Sequence, residues 1–190
     1  ARLRGVWPDQ ALGLNLAVGS ELVYFDRDVR VTGWRFNVAP EVTWPLQRSG
    51  WFVIPGATMD YTQYQLSGTA PGIDSEPSRT LPIASFDTGI ILERSLKSSP
   101  NRVMTLEPRL LYAHIPYREQ SGLPVFDTIL PDLNLVQLYR RNRYLGIDRI
   151  GDTDQLSIGI TSRIHDLGNG RELVTATIGQ ARYLSEQVVT

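Results

Sequence analysis

The chain has 190 residues, of which 42% are hydrophobic and 21% charged, and its net charge is −1, so no basic surplus points to nucleic acid or to an anionic membrane surface. It contains no cysteine and only two histidines, His114 and His165, which excludes disulfide frameworks, thiol catalysis and Cys/His metal sites. The longest apolar stretch, residues 51–57, falls far short of the roughly 20 residues that a membrane-spanning helix needs.

The N-terminal ARLRGVWPDQ has no apolar core of a secretory signal, and the chain is expected to begin partway through a longer protein. From Gly13 onward the organising pattern is period-two alternation, which places successive side chains on opposite faces of a sheet. Leu14, Leu16, Val18, Leu22 and Tyr24 alternate with Gly13, Asn15, Ala17, Gly19 and Glu21. Trp34, Phe36, Val38, Val42, Trp44 and Leu46 alternate with Arg35, Asn37, Glu41, Thr43 and Gln47. Weaker copies follow at 51–64, 83–96 and 102–117. A clear run at 155–165 sets Leu156, Ile158, Ile160 and Ile164 against Gln155, Ser157, Thr161, Arg163 and His165. A last run, 172–184, has a blurred phase that suggests a bulge.

Runs of roughly 11 to 16 residues are long for a globular sheet and suit a tilted membrane crossing. The expected fold is therefore all-β: an antiparallel up-and-down transmembrane β-barrel segment of about seven or eight strands, one partial domain over 1–190 without an internal boundary. In that fold Glu21, Arg35, Glu41, Glu107, Arg109 and Arg163 face the lumen. Leu14, Leu16, Val38, Val42, Leu106, Leu110, Ile158 and Ile160 face outward. A soluble sandwich with one solvated face would alternate in the same way, so the pattern alone leaves both readings open.

Two further features favour the barrel. Tyr24, Trp34, Trp44, Trp51, Tyr112, Tyr117 and Tyr183 sit at or near expected strand ends, where the aromatic girdles of a membrane barrel lie. The connections 26–33, 48–50, 67–80, 97–101, 118–153 and 166–171 alternate between long and short, as extracellular loops and periplasmic turns do. Residues 118–153 are then a long extracellular loop. Its Leu123, Val125, Phe126, Ile129, Leu130, Leu133, Leu135, Val136 and Leu138 argue that it is folded, because disordered segments are poor in such residues. It is expected to pack over or into the extracellular mouth. Pro40, Pro45, Pro55 and Pro108 lie inside alternating runs, and each removes a ladder donor. They mark either strand breaks or edges, or locally weakened ladders and bulges in a large barrel.

Catalytic motifs are missing: the chain has no G-x-S-x-G elbow, Walker loop, dinucleotide fingerprint or H-E-x-x-H. No catalytic residue, metal ligand or cofactor is assigned, and enzymatic activity is not expected. His114 and His165 read as packing and surface residues. The densest polar cluster is Arg140, Arg141, Asn142, Arg143, Asp148, Arg149, Asp152 and Asp154 in and beside the long loop. It lacks the spacing and closing glutamate of a calcium loop. Interleaved Arg and Asp would tie a loop together through charge-assisted hydrogen bonds.

Several elements carry a family likeness. Thr105-Leu106-Glu107-Pro108-Arg109, then Ile115-Pro116-Tyr117-Arg118-Glu119-Gln120, resemble the L-E-P-R and P-Y-R-D-Q elements of the LptD (organic solvent tolerance) family. Leu123 to Thr128 is similar to that family's next element. The segment from Asn142 to Asp152 resembles its N-R-F-S-G-x-D-R-I-G-D stretch, and Asp154-Gln155-Leu156-Ser157, Thr161-Ser162-Arg163 and Ile178-Gly179-Gln180 continue the series in order. The likeness is dense over 102–185 and looser over 12–65. It implies an internal piece of a very large barrel in the Gram-negative outer membrane, surrounded by outer-membrane lipids and joined to an N-terminal periplasmic jelly roll. It also implies a plug lipoprotein, LptE, and a periplasmic bridge that supplies lipopolysaccharide through the N-terminal domain for delivery to the outer leaflet. Arg140, Arg141 or Arg143 would then be placed to meet lipopolysaccharide phosphates. The competing readings are another outer-membrane porin or channel, and a soluble β-sandwich binding module.

Overall fold

The computed structural model describes residues 1–26, 31–97, 99–132 and 134–189. Residues 27–30 of the first expected loop, Ser98 of the 97–101 turn, Leu133 of the long loop and the terminal Thr190 lie outside the described residues.

The strands are β1 (Arg2–Gln10), β2 (Leu14–Phe25), β3 (Thr32–Thr43), β4 (Leu46–Arg48), β5 (Trp51–Ser67), β6 (Ser78–Ile90), β7 (Leu92–Leu96), β8 (Ser99–Ile115), β9 (Thr153–Asp166) and β10 (Glu172–Tyr183). All are antiparallel in one sheet, in the order β1-β2-β3-β5-β6-β8-β9-β10, with β4 on β5 and β7 on β8. The sheet is an open up-and-down meander with β1 and β10 at its edges.

Two apparent breaks do not change register. Thr43 pairs with Gly56 and Leu46 with Val53, so β3 and β4 are one crossing interrupted at Trp44 and Pro45. Gly89 pairs with Arg109 and Leu92 with Leu106, so β6 and β7 are likewise one crossing. Their gap lies opposite Pro108, and Ile91 instead donates its N–H to the Gly50 carbonyl at 2.8 Å. The other two prolines are carried within paired strands, Pro40 opposite Val18 and Pro55 opposite Phe86. The ladder thus loses rungs where proline removes a donor, while side-chain phase is kept.

The sequence runs missed β1. Its phase inverts at a bulge between Trp7 and Gln10, where Asp9 adopts a positive φ of 51°, so no continuous alternation is visible. The blurred final run has a bulge between Glu172 and Val174.

Connections sort by end. One end carries 11–13, 49–50, 97–98 and 167–171; the other carries 26–31, 68–77 and 116–152. The first is the turn end and the second the loop end. The 116–152 loop folds back onto one face of the sheet: Leu123 packs with Tyr64 and Leu66, and Ile150 with Leu81 and Ile115. This is the main apolar core, and it lies between loop and sheet rather than between two sheets.

The opposite face is apolar and open. Leu16, Leu22, Phe36, Met59, Phe86, Leu106, Ile158 and Ile160 are all exposed there. Tyr24 and Trp34 form a cross-strand pair near the loop end, with ring centroids 5.1 Å apart. Trp7, Trp44 and Trp51 are exposed near the turn end. Trp34 and Trp44 are ten residues apart, or about 33 Å along a strand and about 25 Å along the axis of a barrel whose strands tilt by about 40°. That is the height of the apolar band of a membrane barrel.

Candidate functional site

The face beneath the loop collects the charges. In β3, Arg35 shares the alternating phase of Asn37, and register places it between Val23 on β2 and Tyr64 on β5. Its side chain is fully buried. Nη2 donates to Glu21 at 2.6 Å and Asp127 at 2.7 Å, while Nη1 donates to Asp127 at 2.8 Å and Asp148 at 2.6 Å. Removing a guanidinium from water costs several kcal/mol, which only close partners offset; here three carboxylates supply them, two from the loop.

Asp148 is the corresponding acceptor on the loop side and is also fully buried. Its Oδ1 accepts from Arg35 and, at 2.8 Å, from the Tyr64 hydroxyl. Its Oδ2 accepts the backbone N–H groups of Phe126 at 2.7 Å and Asp127 at 2.8 Å. One carboxylate thereby joins two distant parts of the loop to two strands. The Asp127 carboxyl is held below the usual carboxylate range by the hydrogen bonds from Arg35.

A second buried cation sits alongside. Arg79 on β6 donates to Gln120 at 2.8 Å and the Asp148 carbonyl at 2.9 Å through Nη1. Through Nη2 it reaches Asp60 at 3.1 Å, Thr62 at 3.1 Å and the Ile147 carbonyl at 2.9 Å. Asn37 bonds both Asp60 and Thr62. Further along the face, Arg141 pairs with Glu41 at 2.8 Å.

An apolar contact completes the docking. Gly159 and Gly179 are paired across β9 and β10, and Leu138 sits over both, so that a Cβ at Gly179 would lie 2.3 Å from its Cδ2. The neighbouring Tyr139 ring stacks on Arg109, 4.3 Å from the guanidinium carbon. The absence of side chains at the two glycines makes the seat for the loop.

The six expected lumen residues, Glu21, Arg35, Glu41, Glu107, Arg109 and Arg163, all lie on this face, though in two settings. Glu21, Arg35 and Glu41 contact or underlie the loop, and Arg109 meets its Tyr139 at the loop's margin. Glu107 pairs with Arg163, which also reaches Glu172 at 3.3 Å, and Arg109 pairs with Asp87 at 2.6 Å; these pairs toward the turn end are partly exposed.

The residues of the expected loop cluster take different roles. Arg141 and Asp148 dock the loop on the sheet. Asn142 and Arg149 hold it together, Asn142 capping Gly151 and Tyr144 and Arg149 reaching the Leu123 carbonyl at 3.0 Å. Arg143 and Asp152 tie it to the residues after β10, Arg143 bonding Gln187 and the Val189 carbonyl. Asp152 accepts the N–H groups of Val188 and Val189. Arg140 stays exposed beside Gln137. Asp154 is not in the loop: it lies on β9 in the outward phase, accepting from the Tyr112 hydroxyl at 2.8 Å.

Arg79, Asp60, Gln120, Tyr64 and Asp127 were not singled out from sequence. Arg79 shares its phase with Leu81 and Ile83, so the covered face of β6 mixes charge with apolar side chains and the alternation reads backwards. Among the described residues no three His, Asp or Glu side chains converge as a metal site.

A family model described as LPS transport system D (LptD) matches residues 2–190. The LPS-assembly protein LptD of Nitrosococcus oceani is 40% identical over 189 residues, 98% of this chain and 26% of that protein. That of Alkalilimnicola ehrlichii is 41% identical over 163 residues, covering 85% and 22%, and that of Methylococcus capsulatus 34% identical over 192 residues, covering 99% and 19%. The chain spans about a quarter or less of the length of these curated relatives.

Proposed function

The chain belongs to the LptD family, and from that premise we propose that it is part of the wall of an outer-membrane β-barrel that delivers lipopolysaccharide to the outer leaflet. The observation that carries this reading is the division of the sheet. Among the described residues the outward phase of β2, β3 and β5 holds no Asp, Glu, Lys or Arg. On the other strands the band between the Tyr112 row and the Arg94 row holds only one such residue, Arg48, next to the 49–50 turn, whereas the charges gather on the opposite face. An uninterrupted apolar face of this size would aggregate in water, and a bilayer is the solvent it fits. The same observation disfavours a soluble sandwich. The relatives' name, LPS-assembly protein, favours lipopolysaccharide transport over a general porin.

In this reading the loop end is extracellular and the polar face lines the lumen. Loop 116–152 closes the lumen from outside, and the partly exposed pairs nearer the turn end border the hydrated path for sugars and phosphates. Lipid chains leave elsewhere, through a lateral opening. LptE as plug and a periplasmic bridge as supplier of lipopolysaccharide belong to the same reading. Of Arg140, Arg141 and Arg143, the last two are already engaged, which leaves Arg140, exposed beside an open pocket of about 300 Å³ and bonded among the described residues to Gln137 alone, as the one placed to meet a phosphate.

The test is cysteine labelling of the full-length protein. Lipid-soluble probes should mark positions 16, 38, 106 and 158, and hydrophilic probes positions 107 and 163; the reverse preference would overturn the assignment of faces. A charge facing lipid near the bilayer midplane costs about 2 to 4 kcal/mol. Ile158→Arg should therefore lower the amount of assembled barrel well below that of Thr177→Arg, whose side chain lies on the loop-covered face, half-buried.

A further inference from the structure

We propose that the outward surface of β9 and β10 is a binding site for one phosphorylated, acylated lipid of the outer leaflet, held by Arg182 at its head and by an apolar groove along its chains. The inference rests on the orientation given above but concerns the outside of the wall, away from the transport path.

The groove, about 520 Å³, is lined by Leu156, Ile158, Ile160, Ile178, Gln180 and Arg182. Its ends are chemically different. Arg182 is opposite Leu156, which is itself opposite Tyr112, and lies one residue before the loop end of β10, so the guanidinium stands beside the loop-end Tyr112, at headgroup height. Arg182 makes no hydrogen bond or ion pair among the described residues, unlike Arg35, Arg79, Arg109, Arg141 and Arg163. It is also the one Arg or Lys among the described residues in the outward phase of the strands at the loop end; the side chains of Asp154 and His114 face each other there across β9 and β8. Arginine in that setting is a donor fork matched to phosphate.

From Arg182 the groove runs to Ile178, four residues or about 13 Å of extended strand, and stays apolar apart from Gln180. On a strand tilted by about 40° that is about 10 Å of depth, within the roughly 15 Å of one leaflet of a hydrocarbon core of about 30 Å, so the groove takes the head-side part of the chains of one leaflet. A single cation above a groove that stays within one leaflet selects an anionic head joined to acyl chains. In the outer leaflet of a Gram-negative cell the abundant lipid of that chemistry is lipopolysaccharide, whose lipid A bears phosphates.

Purified, delipidated full-length protein in detergent would be titrated with lipid A and with dephosphorylated lipid A, and bound lipid counted by native mass spectrometry. Variants would be Arg182→Ala, Arg182→Lys, the groove-filling Ile178→Trp, and Arg94→Ala as a matched outward arginine at the turn end. The proposal expects about tenfold weaker retention of lipid A in Arg182→Ala and Ile178→Trp, partial rescue in Arg182→Lys, and no change in Arg94→Ala. It also expects that the dephosphorylated lipid will not distinguish Arg182→Ala from the parent. Equal retention of lipid A by parent, Arg182→Ala and Ile178→Trp would overturn the site, as would preferential retention of phosphatidylglycerol over lipid A. Failure of the underlying orientation would show separately, as a cysteine at Val125 that external impermeant reagents do not reach in intact cells.

Discussion

The two halves of the covered face use the same chemistry under different conditions. Toward the loop end Arg35, Glu21, Asp148 and Arg79 are each less than 5% exposed, sealed beneath the loop. Toward the turn end the Glu107–Arg163 and Arg109–Asp87 pairs keep between 19% and 41% of their side-chain surface in contact with solvent. Water makes the difference. A buried charge that loses its partner has no solvent to fall back on, and breaking such a pair costs about 3 to 5 kcal/mol. An exposed pair contributes about 0 to 1 kcal/mol, because solvent replaces the partner. One half of the face is therefore a lock for the loop, and the other is a wettable surface that tolerates change.

The largest effect is expected from Asp148→Ala, which removes the acceptor of four hydrogen bonds and leaves Arg35 short of a buried counter-charge. Docking of the loop should weaken by about 3 to 5 kcal/mol. Hydrogen exchange over 120–150 should rise sharply while exchange in β2 and β9 stays slow. Unchanged protection of the loop would end the idea of a lock.

Next is Gly179→Leu, which places a side chain where Leu138 sits. Overpacking of this kind costs about 1 to 3 kcal/mol, and the 134–139 segment should become accessible to protease with the strands intact. If it stays resistant, the glycine pair is not the seat of the loop.

Glu107→Gln, at the wettable end, should change the thermal midpoint of the folded barrel little, in keeping with about 1 kcal/mol or less. A loss as large as that of Asp148→Ala would erase the contrast between the halves.

The smallest effect is one of pH. The Asp127 carboxyl titrates below its ordinary value because Arg35 donates to it. Its contribution to docking is then complete above the ordinary carboxylate range near pH 3.9 and is lost as the pH falls through the lowered folded value. Pepsin nicking of the loop near residue 125 should increase across that acid range in the parent. In Asp127→Asn the acid dependence should flatten.

What the sequence determined by itself follows from local periodicity. Side-chain phase in an extended chain repeats every two residues whatever its partners are, so the outward set from Leu16 to Ile160 and the charged set from Glu21 to Arg163 could be separated without knowing the neighbours of any strand. Connection length is equally local, and so is the ordered series of motifs from Leu106 to Gln180. The tertiary structure alone decided which charges meet: Arg35 and Asp148 are 113 residues apart, and their contact depends on the register of β2, β3 and β5 and on the path of the loop. It also recruited β1, whose bulge hides its phase, and it buried Leu81 and Ile115 on a face otherwise marked by charge. That face mixes charged and apolar side chains because a folded loop, unlike water, accepts both, provided every charge is given a partner.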